Sequence, residues 1–98
     1  MIIQVAKDFS PYLGGRYIKD GFGSAEEFFN RFLEIYRAFK VINKEYKITF
    51  DFFDVCGIPS SWYDELEKRL ESVGLRLIKD KNNKYIRHIS KIKTKNLF

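Results

Sequence analysis

The segment that most constrains this chain runs from Ser24 to Phe39. Ser24-Ala25-Glu26-Glu27 has the spacing of a capping box, in which the serine hydroxyl and the glutamate carboxylate satisfy N–H groups left unpaired at a helix start. Behind it, Phe28, Phe29, Phe32, Leu33, Tyr36 and Phe39 recur at helical spacing, with Arg31, Glu34 and Arg37 off that face. An aromatic stripe this wide has to be covered by other parts of the chain. The chain has the means: ten Phe and six Tyr stand among 98 residues that are 45% hydrophobic overall. That is about the size at which one domain encloses its own core. A single domain over residues 1–98 is expected, with an aromatic interior.

The remaining segments read as strands and one further helix. Residues 2–7, IIQVAK, form a short run rich in β-branched residues that ends at Asp8, Ser10 and Pro11, which predicts a first strand and a turn. Residues 47–55, KITFDFFDV, are dense in strand formers and nearly continuous in apolar character, as in a central strand covered on at least one side. Cys56-Gly57-Ile58-Pro59 breaks that strand. Trp62, Tyr63, Leu66, Leu70 and Val73 then return at helical spacing, and Gly74 stands where a left-handed helix cap is usual. Residues 75–79 and 85–92 predict two strands joined across a polar turn containing Asn82-Asn83, and residues 94–98 are expected to fray. The order strand, helix, strand, helix, strand, strand predicts an α/β domain: a mixed sheet with two main helices packed on it and a terminal β-hairpin.

Charge is divided unevenly along the chain. Residues 1–75 carry ten Lys/Arg against twelve Asp/Glu, a balance of −2, whereas residues 76–98 carry eight against one, a balance of +7. Clustered cations on a hairpin have two readings. They are a solvated edge that deters aggregation, or a surface for nucleic acid or another acidic partner. The basic patch under the second reading comprises Arg76, Lys79, Lys81, Lys84, Arg87, Lys91 and Lys93, with Tyr85 placed to stack on a base.

Several chemistries are disfavoured. The one cysteine, Cys56, permits no intramolecular disulfide; in a reducing cytosol a buried, inert thiol closing the strand is its expected state, the alternative being a thiol made reactive by the nearby helix start. One His and one Cys are too few soft ligands for a metal site, and Asp51 and Asp54 lack a loop of metal-ligand spacing. His88 sits in the basic hairpin, and neither Ser60 nor Ser61 has the signature context of a catalytic triad. No catalytic residue, metal or cofactor is therefore expected. The N-terminal apolar run is too short for a signal peptide, and no stretch approaches the ~18 apolar residues of a membrane span. A soluble cytoplasmic protein is expected.

Two segments carry candidate sites. The connection containing Gly14, Gly15, Arg16, Lys19, Gly21, Gly23 and Ser24 combines glycines, cations and a helix start, which together can cradle an anion or nucleotide. Its spacing matches neither the P-loop nor the dinucleotide fingerprint, and the alternative is a tight turn in which glycine permits positive φ. Ser60 and Ser61 open the second helix. One hydroxyl can serve as an N-cap, and a phosphate there would meet the positive end of the helix dipole. Trp62, Tyr63 and Asp64, immediately behind, form a candidate partner interface, with the two rings as anchors.

Gly14-Gly15-Arg16-Tyr17, Gly21, Ser24-Ala25-Glu26-Glu27-Phe28, Asp51, Val55, Ser60-Ser61-Trp62 and Asp64-Glu65 together resemble the STAS-like family of unknown function, over about residues 2–74. The terminal hairpin, residues 75–93, lies outside the resemblance. That family is similar to anti-sigma-factor antagonist (STAS) domains. The resemblance implies a mixed sheet with helices and a serine at a helix start that a histidine-kinase-like ATPase partner phosphorylates, breaking their complex. Ser60 falls at that position; Pro59 and Trp62 stand where those antagonists carry an acidic residue and a glycine. The resemblance thus implies a non-enzymatic regulatory module that binds a protein through the start of the second helix.

Overall fold

A computed structural model describes residues 1–42 and 47–92. In chain order they form strand β1 (Ile2–Gln4), a one-turn helix α1 (Val5–Asp8), a 3-10 turn (Ile18–Asp20), helix α2 (Ala25–Ile42), strand β2 (Thr49–Asp51), helix α3 (Ser60–Ser72), and strands β3 (Leu75–Lys79) and β4 (Ile86–Lys91). The sheet order is β1-β2-β4-β3, with β1 parallel to β2 and the other neighbours antiparallel. A parallel pair cannot be joined by a tight turn. The glycine-rich connection and α2 provide the crossover between β1 and β2.

Strand alternation sets which face is covered. Ile3, Phe50 and Leu75 are buried, whereas Ile2 and Arg76 beside them are exposed. The aromatic stripe of α2 meets the covered face directly: Phe28 and Phe32 pack edge-on against Phe50, with ring centroids 5.0 and 5.3 Å apart. Helix α3 adds Trp62, Leu66 and Leu70, none of which is accessible to solvent. The domain is therefore a mixed α/β fold of two layers, a four-stranded sheet and two main helices.

Two strands are shorter than their sequence predicts, for local reasons. After Gln4 the chain turns into α1, because the Asp8 carboxylate accepts the Gln4 N–H (2.8 Å) and Phe9 and Ser10 both donate to the Val5 carbonyl. Residues 5–7 are thus helical. Strand β2 keeps three residues of the nine proposed: the Asp51 carboxylate accepts the Phe53 N–H at 2.9 Å, and Asp54 takes a left-handed φ of 66°. Apolar side chains continue past the strand, with Phe52 in the core and Phe53 turned out. Gly74 ends α3 at φ 78°, as its position predicts. The fraying expected at residues 94–98 lies outside the described residues.

Candidate functional site

The glycine-rich connection folds onto the start of α2 and uses up its donors. The Ser24 hydroxyl, inaccessible to solvent, accepts the Glu27 N–H at 3.0 Å, and the Glu27 carboxylate accepts the Gly23 N–H, a one-residue displacement from the capping box. The Ala25 and Glu26 N–H groups donate to the carbonyls of Gly15 and Arg16, both at 3.0 Å. An anion cradle needs those N–H groups unoccupied. The anion-binding reading of Gly14, Gly15, Arg16, Lys19, Gly21, Gly23 and Ser24 is therefore corrected: carbonyls of the same loop occupy the donors. Lys19 lies 5.4 Å from the centre of the Tyr17 ring, and Arg16 pairs with Glu65 at 3.7 Å. The glycines have steric work instead. A Cβ on Gly14 would stand 2.4 Å from the Phe22 carbonyl oxygen, and Gly23 combines φ 76° with a 2.6 Å approach to the Tyr12 oxygen.

Trp62 explains why that loop is held so tightly. Its indole is fully buried against Phe28 and Phe52, and Nε1–H donates to the Gly23 carbonyl at 2.8 Å. The expectation that Trp62 anchors a partner is overturned, because the ring is a core element that pins the glycine loop to α3. Tyr63 is half-buried and its hydroxyl accepts the Arg87 Nε–H at 2.9 Å, so it ties α3 to β4. Of the proposed interface residues, Asp64 alone is fully on the surface. Glu65, which the sequence places on a solvated helix surface, is instead 8% exposed and bonded to Arg69 at 2.9 Å, while Arg69 also reaches Glu26 at 3.8 Å. The i, i+4 spacing of Glu65 and Arg69 is the sequence signal for this pair.

At the start of α3 the serines are presented differently from the N-cap expectation. Pro59 occupies the cap position with no side-chain cap, Ser60 is the first helical residue and is exposed, and Ser61 is half-buried. Cys56 is exposed, contrary to the inert thiol expected, because its N–H donates to the Pro11 carbonyl (2.8 Å) and holds the 56–59 loop beside Tyr12 rather than under the sheet. Tyr12, Leu13, Cys56, Ile58 and Pro59 line a shallow, mainly apolar concavity of about 380 Å³, and Ser60 is the residue that follows Pro59 in the chain. Tyr12 is 71% exposed.

The proposed basic patch is divided by strand alternation. Arg76 shares the uncovered face with Ile78, while Lys79 and Arg87 lie opposite each other in the ladder and Lys91 pairs with Leu75 near its far end. Lys93 lies outside the described residues. Lys79, Lys81, Lys84 and Arg87 gather around the β3–β4 turn, where they line a concavity of about 500 Å³ together with Asp80, Asn82 and Asn83. His88 is joined to two neighbours: Nε2 lies 2.8 Å from Asp80 Oδ1 and Nδ1 lies 3.3 Å from Thr49 Oγ1. The hydrogen bond with His88, then the Asn82 N–H, hold the Asp80 carboxyl below its ordinary range. Burial, then the neighbouring charges of Asp64 and Glu71, push Glu67 up.

Among the described residues, no group of three His, Cys, Asp or Glu side chains is gathered as a metal site, and no helix is long and apolar enough to cross a membrane. The chain matches no protein-family model, no curated protein and no solved structure.

Proposed function

We propose that this chain is a STAS-like, non-enzymatic regulatory module that docks a protein partner at the start of α3 and is released by phosphorylation of Ser60. The observation that carries this reading is the adjacency of an exposed serine, on a helix start without a side-chain cap, to the apolar concavity of Tyr12, Ile58 and Pro59. Apolar contact with Tyr12 supplies affinity, since an exposed ring beside a shallow groove is a common energetic centre of interfaces. A phosphate on Ser60 adds nearly two negative charges at the groove's edge, and the α3 dipole stabilises it there. The resemblance in sequence points to a histidine-kinase-like ATPase as partner, and the single cysteine favours the cytosol, where an exposed Cys56 stays reduced.

The test is photocrosslinking from position 12 in the native host, followed by affinity measurement with the purified crosslinked protein. Tyr12→Ala and Ser60→Asp are each expected to weaken binding about tenfold or more, and Ser60→Ala to leave it unchanged. Equal affinity across all three variants overturns the proposal.

A further inference from the structure

We infer that the β3–β4 turn is a binding site for single-stranded nucleic acid, separate from the α3 docking surface. Lys79, Lys81, Lys84 and Arg87 converge there on one concavity of about 500 Å³. Among the described residues, Lys79, Lys81 and Lys84 make no salt bridge. Arg87 is half-buried and held from three sides. Its Nε–H donates to the Tyr63 hydroxyl, its Nη1 to the Lys84 and Ile86 carbonyls, and its guanidinium lies 5.7 Å from the Tyr63 ring centre. Among the described residues Nη2 is its remaining donor, and a guanidinium fixed in this way loses less side-chain entropy when a phosphate arrives.

The acids nearby offset only part of the field. Lys79, Lys81, Lys84 and Arg87 line the concavity against a single carboxylate, Asp80, which is bonded to His88 and to the Asn82 N–H. Glu67, on α3, interacts with Lys79 and Arg87 from outside that lining.

Two aromatic rings next to Lys84 decide which anion fits. Lys84 Nζ stands 5.2 Å from the Tyr85 ring centre, and Tyr85 packs edge-on against Phe53 at 5.2 Å. Both rings are open to solvent, Phe53 at 56% and Tyr85 at 37%. Cations beside partly exposed aromatic rings match a strand whose phosphates enter the concavity while its unstacked bases reach the rings. Paired bases present no such faces, which excludes a duplex as the preferred ligand. An acidic peptide would use the cations and leave both rings bare.

The test is fluorescence anisotropy with labelled oligothymidylate and oligouridylate of about ten nucleotides, titrated from about 50 to 200 mM salt. Wild-type protein is expected to bind, with log affinity falling linearly in log salt, and the tighter of the two probes tells a DNA from an RNA ligand. Lys81→Gln with Lys84→Gln is expected to reduce the salt slope by about 1.4, at about 0.7 for each phosphate no longer neutralised. Tyr85→Ala is expected to weaken binding about tenfold with the slope unchanged, its fold checked by circular dichroism. Ser60→Asp is expected to bind as wild type, which separates this site from the α3 surface. Absence of binding to either probe at low salt up to about 100 µM protein overturns the inference. So does Tyr85→Ala binding as wild type, which would make the turn a plain polyanion patch.

Discussion

The connection over residues 14–24 and the turn over residues 80–85 are both cationic, polar loops, yet the first is sealed and the second is open. In the glycine connection, the first N–H groups of α2 go to the Gly15 and Arg16 carbonyls, Trp62 takes the Gly23 carbonyl, and Arg16 is paired with Glu65. In the hairpin turn, hydrogen bonds join Asp80, Asn82, Asn83, Tyr85 and His88, while Lys81 and Lys84 stand exposed. The sequence offers both segments as anion sites. Geometry separates them, because backbone N–H groups already satisfied by the protein have nothing left to offer a ligand, whereas exposed lysines do. If the contrast is sound, substitutions in the first loop change stability and substitutions in the second change binding.

The largest effect is expected at Trp62. Trp62→Ala removes a fully buried indole and leaves the Gly23 carbonyl without its donor. Loss of about 3–5 kcal/mol is expected, a large share of the ~5–15 kcal/mol of a small domain. Urea unfolding measures it. A loss below about 1 kcal/mol would mean that the glycine loop does not depend on the indole.

Gly23→Ala comes next. Its φ of 76° and the 2.6 Å approach to the Tyr12 oxygen make any side chain strained, so about 1–3 kcal/mol of destabilisation is expected by the same measurement. Gly57→Ala is the control. It has open space around its Cβ and no positive φ, and is expected to be neutral or to stabilise by up to about 1 kcal/mol. Equal effects at both positions would show that the glycine loop is no more constrained than the 56–59 loop.

How much of this was readable beforehand depended on whether the cause was local. The start of α2, the aromatic stripe, Gly74 and strand β3 were legible, since helical spacing, a capping serine and a left-handed glycine act within a few residues. The ends of β1 and β2 were not, because Asp8 and Asp51 each redirect the backbone through one side-chain bond inside an apolar run. Trp62 was misread for a different reason. An indole at a helix start has the same local pattern whether it faces a partner or the core, and its bond to Gly23 spans 39 residues. Tyr12 was overlooked as a groove residue because it reaches Ile58 and Pro59 only through the fold.

A pH experiment probes the open region. The His88 hydrogen bond, then the Asn82 N–H, lower the Asp80 carboxyl in the folded protein relative to its ordinary value of 3.8. The folded state therefore binds this proton less readily than the unfolded chain. The resulting stabilisation is present above the ordinary value and is lost as pH falls through the lowered one. Asp80→Asn is expected to give a slightly lower thermal midpoint at neutral pH and a flatter decline on acidification. A decline identical to that of wild type would place the acid sensitivity of the fold elsewhere.

The smallest effect is expected for the pair Lys81→Gln and Lys84→Gln. Both side chains are exposed, and the approach of Lys84 to the Tyr85 ring is a surface cation–π pair, which contributes only about 0.5–1 kcal/mol. Removing two like charges from a crowded turn offsets part of that loss, since Lys79 and Arg87 line the same concavity. The net change in urea-unfolding stability is expected to stay within about 0.5 kcal/mol. A larger loss would show that the turn depends on its lysines, as the glycine loop depends on Trp62, and the division between a sealed and an open loop would fail. A stable double variant that no longer binds oligonucleotide would show the opposite: these charges are held outward for a ligand and contribute little to the fold that presents them.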